Sequence, residues 1–199
     1  MKSIITATLL FGMLPLSLTA MAALQSGASA PDFTAPASLA GKEFSFSLKD
    51  ALKKGPVVVY FYPAAYTSGC NIEAHTFAVN KAKFDAAGAT IIGVSHDSIA
   101  MLNRFSSDPD YCAGEFPVAS DPDGAIAKSY DLKSFTPNQP FKNSVGEDVD
   151  HALTERTTFV ITPDSKIIAT LSSADDKIEP GDHVTRSLAI VEGLAKNSE

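Results

Sequence analysis

The sequence predicts an α/β fold, a central mixed β-sheet flanked by helices on both faces. Three observations carry that expectation. The run Val57-Val58-Val59-Tyr60-Phe61-Tyr62 is apolar or aromatic at every position and lies between Pro56 and Pro63, as a strand covered on both faces requires. Strand-like and helix-like periodicities alternate after it. The chain then closes with a hairpin and one amphipathic helix.

Each element follows from local pattern. Residues 42–48 alternate, with Phe44, Phe46 and Leu48 on one side and Glu43, Ser45 and Ser47 on the other, the pattern of a half-buried strand. Pro63 ends the central strand because proline has no ladder N–H. Residues 67–87 are rich in Ala, Glu, Lys and Phe and predict a helix, with Phe77 and Phe84 seven apart on one face. Residues 89–94 read as a strand, and a helix follows over 98–105 with Ser98 as its N-cap. Phe116-Pro117-Val118 is a short strand candidate and 124–130 a short helix. Residues 132–153, polar and carrying Pro137, Pro140 and Gly146, read as a long loop. Thr157-Thr158-Phe159-Val160-Ile161 and residues 166–171 flank a Thr162-Pro163-Asp164-Ser165 turn as a hairpin. From His183 onward, Val184, Leu188, Val191 and Ala195 form one apolar stripe.

The 199 residues, 45% hydrophobic and 20% charged, suit one compact domain, and no internal repeat divides them. A net charge of −7 without any Lys/Arg cluster argues against a nucleic-acid partner. Two cysteines rule out a disulfide scaffold or a four-cysteine zinc site. At the start, Lys2 precedes an apolar run over 4–18 and then Ala20-Met21-Ala22, a small-x-small cleavage pattern. Gly12 and Pro15 interrupt that run, which is short of the roughly 20 residues that span a bilayer. The expectation is a signal peptide over 1–22 and a domain over 23–199, exported to the bacterial periplasm with no membrane span after processing. Both cysteines then occupy a compartment that permits disulfides.

Chemistry concentrates where the buried strand turns into the following helix. In Pro63-Ala64-Ala65-Tyr66-Thr67-Ser68-Gly69-Cys70 the cysteine falls at the helix start. Unpaired N–H groups and the macrodipole there favour an anion, so a thiol at that place is expected to ionise more easily. Thr67 can cap the helix or turn its hydroxyl to the sulfur, and Pro63 stiffens the approach and shields it from water. The competing assignment is an inert core cysteine.

This segment resembles the peroxiredoxin active-site pattern Pro-x-x-x-Thr-x-x-Cys. Three further segments resemble the same family in order and spacing: Gly27-Ala28-Ser29-Ala30-Pro31-Asp32-Phe33, Ser120-Asp121-Pro122-Asp123-Gly124, and Arg156-Thr157-Thr158-Phe159-Val160-Ile161. Cys70-Asn71-Ile72-Glu73 is similar to the bacterioferritin-comigratory, or Q-type, subgroup. Many of that subgroup carry a resolving cysteine five residues after the first, where this chain has His75, which cannot form a disulfide.

The resemblance implies a thioredoxin-like fold of peroxiredoxin type and a thiol-dependent peroxidase needing no metal or organic cofactor. Cys70 would attack a hydroperoxide and become a sulfenic acid, with Thr67, Arg156 and the Cys70 N–H recognising the peroxide oxygens. An always-charged fork suits Arg156 to that task; an ion pair with Glu155 is its alternative. Cys112, 42 residues on, is either the resolving partner, reached by local unfolding and reduced by a thioredoxin-like protein, or a bystander, with Cys70 recycled by a small thiol. The oligomeric expectation is a monomer or homodimer. Other readings fare worse on the residues. A thiol-disulfide oxidoreductase needs Cys-x-x-Cys, where Glu73 stands; a copper-delivery protein needs Cys-x-x-x-Cys, where Ala74 stands; glutathione-peroxidase-like enzymes use a Trp, which this chain lacks. A non-catalytic redox-fold binding protein stays open. His75 is expected on a solvated helix face, and His96, His151, His183, Arg104 and Arg186 on surfaces or loops.

Overall fold

The computed structural model describes residues 23–197. The expected signal peptide, 1–22, lies outside the described residues. β1 (Thr34–Leu39) and β2 (Lys42–Ser47) form an antiparallel pair, followed by the single turn α1 (Leu48–Leu52), whose N-cap Ser47 accepts the Asp50 N–H at 3.2 Å. β3 (Val57–Phe61), α2 (Ser68–Ala86), β4 (Thr90–Ser95), α3 (Ile99–Ser107) and β5 (Val118–Ser120) then build a parallel set, and α4 (Ala125–Ser129) leaves it. Four two-residue strands come next: β6 (Ser134–Phe135), β7 (Phe141–Lys142), β8 (Asp148–Val149) and β9 (Leu153–Thr154). β10 (Thr157–Ile161) and β11 (Ile167–Ser172) form the closing hairpin, and α5 (Ser173–Asp176) leads into α6 (Pro180–Lys196).

The seven long strands make one mixed sheet in the order β11-β10-β3-β4-β5-β1-β2. β3 is buried along its whole length, and its alternation explains the continuous apolar run. Val57, Val59 and Phe61 enter one layer with Phe33, Phe46, Tyr130 and Phe159, while Val58 and Tyr60 enter the other with Phe77, Phe84, Phe105 and Val184. Register then positions the site. Phe61 lies opposite Val94 of parallel β4 and Thr157 of antiparallel β10, so the chain leaving β3, the chain leaving β4 and Arg156 all emerge at the same end of the sheet's strands. Strand ends of this kind, where loops enter helices, are where α/β sheets hold their ligands.

Several expectations need correction. Phe44 is 41% exposed, because β2 is a sheet edge and only Phe46 and Leu48 of that alternation reach the core. The strand expected at 116–118 runs from Val118 to Ser120, with Phe116 buried ahead of it. The long loop expected over 132–153 is organised by two short antiparallel pairs, β6 with β9 and β7 with β8. β1, α1 and α5 carry too little periodicity to be expected: β1 buries only the small Ala35, Ala37 and Ser38. α6 matches its stripe, with Val184, Leu188 and Val191 buried.

Candidate active site

The nucleophile loop is built by four hydrogen bonds and one left-handed residue. After β3 the Ala65 N–H donates to the Asp97 carboxylate at 2.8 Å, tying the loop to the chain beyond β4. Tyr66 then adopts φ +61, uncommon for a bulky residue. Its ring is held edge-on by Phe105 and Tyr111, its hydroxyl donates to Asp108 at 3.3 Å, and its carbonyl accepts the Ser144 N–H at 2.8 Å. Thr67 takes the N-cap position without capping by its side chain; the hydroxyl donates to the Ala64 carbonyl at 2.8 Å and lies close enough to Cys70 to favour its thiolate. Of its two expected roles, capping by the side chain is not made.

Cys70, in the first turn of α2, is 1% exposed. Arg156 reaches it from the start of β10, with Nη2 3.3 Å from Sγ, while Nη1 donates to Glu73 one helical turn further along α2. Gly69 is the residue that admits this fork. A Cβ there would lie 3.1 Å from Arg156 Nη2 and 3.3 Å from Pro180 Cγ. Arg156 therefore pairs with Glu73, and the alternative partner Glu155 instead accepts the Lys133 N–H at 3.0 Å.

Electrostatics correct one expectation. Burial pushes the Cys70 thiol above its ordinary value, and Arg156 and Thr67 pull back without cancelling it. The helix start alone does not yield an acidic thiol, because desolvation of the thiolate is the larger effect in a closed pocket. Glu73, fully buried, is pushed up to about 7 against the pull of Arg156, and its Oε1 has no hydrogen-bond partner. Glu73 stands in the sequence as part of Cys-x-x-Glu and as the departure from Cys-x-x-Cys; its i, i+3 spacing from Cys70 is the signal that places both on one helix face. Asp97 had no local signal at all.

Pro63 stands half-buried directly after the strand. Cys112 lies apart in the turn after α3, 0% exposed, and both thiols are free. They belong to one apolar layer together with Tyr60 and Tyr62. Burial also pushes the Cys112 thiol well up. His75 is exposed as expected and donates to the Asp110 carbonyl at 3.1 Å. Arg104 and Arg186 are exposed, Arg104 paired with Glu147. Of the other histidines, His96 and His151 lie in loops as expected but are buried or half-buried, and His183 lies buried on α6. His96 is 5% and His183 0% exposed, and His151 is half-buried against Asp97. Hydroxyl and carboxylate partners contributed by distant segments make that burial affordable.

The family model of AhpC/TSA matches residues 26–170. The chain belongs to the AhpC/TSA family. Among its relatives, the peroxiredoxin Bcp of Xanthomonas campestris is 32% identical over 140 residues, which are 70% of this chain and 78% of that protein. The crystal structure of peroxidoxin BcpB from Mycobacterium tuberculosis superposes with a TM-score of 0.69 at 26% identity, covering 86% of this chain and 98% of that one. The bacterioferritin comigratory protein of X. campestris gives a TM-score of 0.62 at 30% identity, covering 80% and 91%. This AhpC/TSA protein is thus a peroxiredoxin with Bcp and peroxiredoxin Q relatives, a thioredoxin-like fold and the thiol peroxidase activity general to the family.

Proposed function

We propose that this peroxiredoxin reduces hydrogen peroxide and organic hydroperoxides at Cys70, in the bacterial periplasm after removal of residues 1–22. The Cys70 thiolate displaces the terminal peroxide oxygen, giving Cys70 sulfenic acid; the released alkoxide or hydroxide takes a proton and leaves as alcohol or water. The observation that carries this reading is the Arg156 fork, one arm on Cys70 Sγ and the other on Glu73. A thiol held above its ordinary pKa draws rate from donors that meet the breaking O–O bond: Arg156 and the Cys70 N–H are such donors, and Thr67 joins them when its hydroxyl turns from the Ala64 carbonyl to the peroxide. The X. campestris bacterioferritin comigratory protein is described by its alkyl peroxide reduction activity, which supports the organic substrates.

Cys112 then condenses with the sulfenic acid, releasing water, and a thioredoxin-like dithiol or small thiol reduces the disulfide. Both sulfurs are buried, so the first turn of α2 or the Cys112 turn must open first. Peroxide consumption with a thiol reductant tests the core of the reading: Cys70→Ser is expected to abolish it, and equal rates in the two proteins would overturn it. Arg156→Ala is expected to slow Cys70 oxidation by about 10²–10³-fold, as loss of one transition-state donor does. The fold survives that change because Glu73 can neutralise by taking up a proton. Intact mass after one equivalent of peroxide is expected to fall by two hydrogens. A persistent gain of one oxygen, in wild type as in Cys112→Ser, would remove Cys112 from the cycle.

A further inference from the structure

His151 faces two groups that can only accept hydrogen bonds. Its Nδ1 is 2.7 Å from the Ala152 carbonyl, and its Nε2 is 3.0 Å from the Oδ1 of the Asp97 carboxylate. A neutral imidazole has one N–H for these two acceptors; an imidazolium has two. The side chains are 19% and 3% exposed, so little water replaces a missing proton. The other charged or titratable groups around the ring are Asp148 and Asp150 of its own segment and His96 beside Asp97; the His96 ring is tilted against it at 6.4 Å between centroids. Burial pushes the His151 pKa down, but the bonds to Asp97 and Ala152 and the charges of Asp97 and Asp150 outweigh it and hold it above the ordinary 6.5.

Asp97 Oδ2 points the other way, accepting the Ala65 N–H at 2.8 Å and the Ser95 hydroxyl at 2.7 Å. Ala65 is flanked by Ala64, whose carbonyl receives the Thr67 hydroxyl, and by left-handed Tyr66. We propose that His151, as an imidazolium paired with Asp97, is a positioning residue for the Cys70 site: it fixes the carboxylate that anchors the Ala65 N–H and so sets the loop carrying Thr67. The role in catalysis rests on Cys70 being the peroxide-reactive thiol; the coupling between His151 and Ala65 does not.

The sign follows from the raised pKa. The clamp is complete below the ordinary histidine range and is lost as pH rises through the folded value, above 6.5. In wild-type protein, imidazole ¹⁵N shifts are expected to show both His151 nitrogens protonated at pH 6, with the Ala65 amide moving at the same midpoint. A neutral ring at pH 6, or an Ala65 amide indifferent to the titration, overturns the coupling. For catalysis, reductant-free Cys70 oxidation is followed in wild type and His151→Gln, which keeps an N–H donor and loses the charge. The wild-type rate is expected to exceed the variant's by about tenfold at pH 6, less than the roughly hundredfold that misplacement by a full ångström costs. The ratio should shrink towards one above the His151 midpoint. A ratio that is one at pH 6, or that does not change with pH, removes His151 from the catalytic machinery, whereas a wild type inert to peroxide sinks the Cys70 reading and leaves the amide titration to decide the coupling.

Discussion

Arg156 serves two partners with opposite needs. Its Nη2 lies on a sulfur that must change charge during the reaction, and its Nη1 on a carboxyl buried beside it. The guanidinium side chain is only 10% exposed, so the carboxylate is what makes a fixed cation tolerable there. Glu73→Ala is therefore expected to lower stability by about 3–5 kcal/mol, the cost of a buried charge left without its partner. Glu73→Gln keeps an acceptor for the fork and is expected to lose less of both stability and Cys70 oxidation rate. Urea unfolding and single-turnover kinetics measure the two; equal losses in Ala and Gln would mean the charge alone matters. Cys70, Thr67 and Arg156 were legible in the sequence because they stand in segments that match one family pattern in order and spacing. Asp97, His151 and His183 were not, since their partners lie 32, 54 and 25 residues away and no local periodicity reports a side chain that crosses the fold.

The start of α2 shows how an element is tuned to its neighbours. Alanine is a better helix former than glycine by up to about 1 kcal/mol, so Gly69 costs the helix something. What it secures is room, since a Cβ would crowd both the Arg156 fork and the first residue of α6. Gly69→Ala is expected to leave stability within about 1 kcal/mol, helix gain and crowding offsetting each other, while Cys70 oxidation slows about tenfold because the fork is displaced. Thermal unfolding together with peroxide kinetics checks this; an unchanged rate would show that the fork yields without consequence. β3 was readable because its apolar run feeds both layers of the core, and α2, α3 and α6 because each turns buried apolar positions to one of them. β1 was not, because Ala35 and Ala37 are too small to mark a face, and the pairs within 132–154 were not, because two-residue strands have no period.

For the molecule as a whole, buried histidines set how stability responds to acid. His183 lies on α6 between β10 and α5, with Nδ1 3.0 Å from the Thr158 hydroxyl and Nε2 2.9 Å from the Ser173 hydroxyl. Ser173 already spends its proton on the Ile178 carbonyl at 2.8 Å, so Nε2–H donates to Ser173 and Nδ1 accepts from Thr158. The site thus holds a neutral ring, and burial, with Arg156 and Arg186 nearby, pushes its pKa down to about 4 from 6.5. The unfolded chain takes up this proton first. Stability is therefore complete above pH 6.5, falls as pH drops from 6.5 towards 4, and levels off below, the whole difference being about 3 kcal/mol. His151 has the opposite sign, its contribution present at low pH and lost on the alkaline side of 6.5. Glu73, raised to about 7 from 4.5, takes up its proton first in the folded chain and opposes the His183 loss between pH 7 and 4.5, so each histidine's limb is read as the difference between wild type and its variant. Urea unfolding across pH 4–8 should show the stability difference between wild type and His183→Gln shrinking below pH 6.5, and that between wild type and His151→Gln shrinking above it. The slopes are the readout, because either substitution also shifts absolute stability, and an acid limb that survives His183→Gln intact would assign that limb to the carboxyl groups instead.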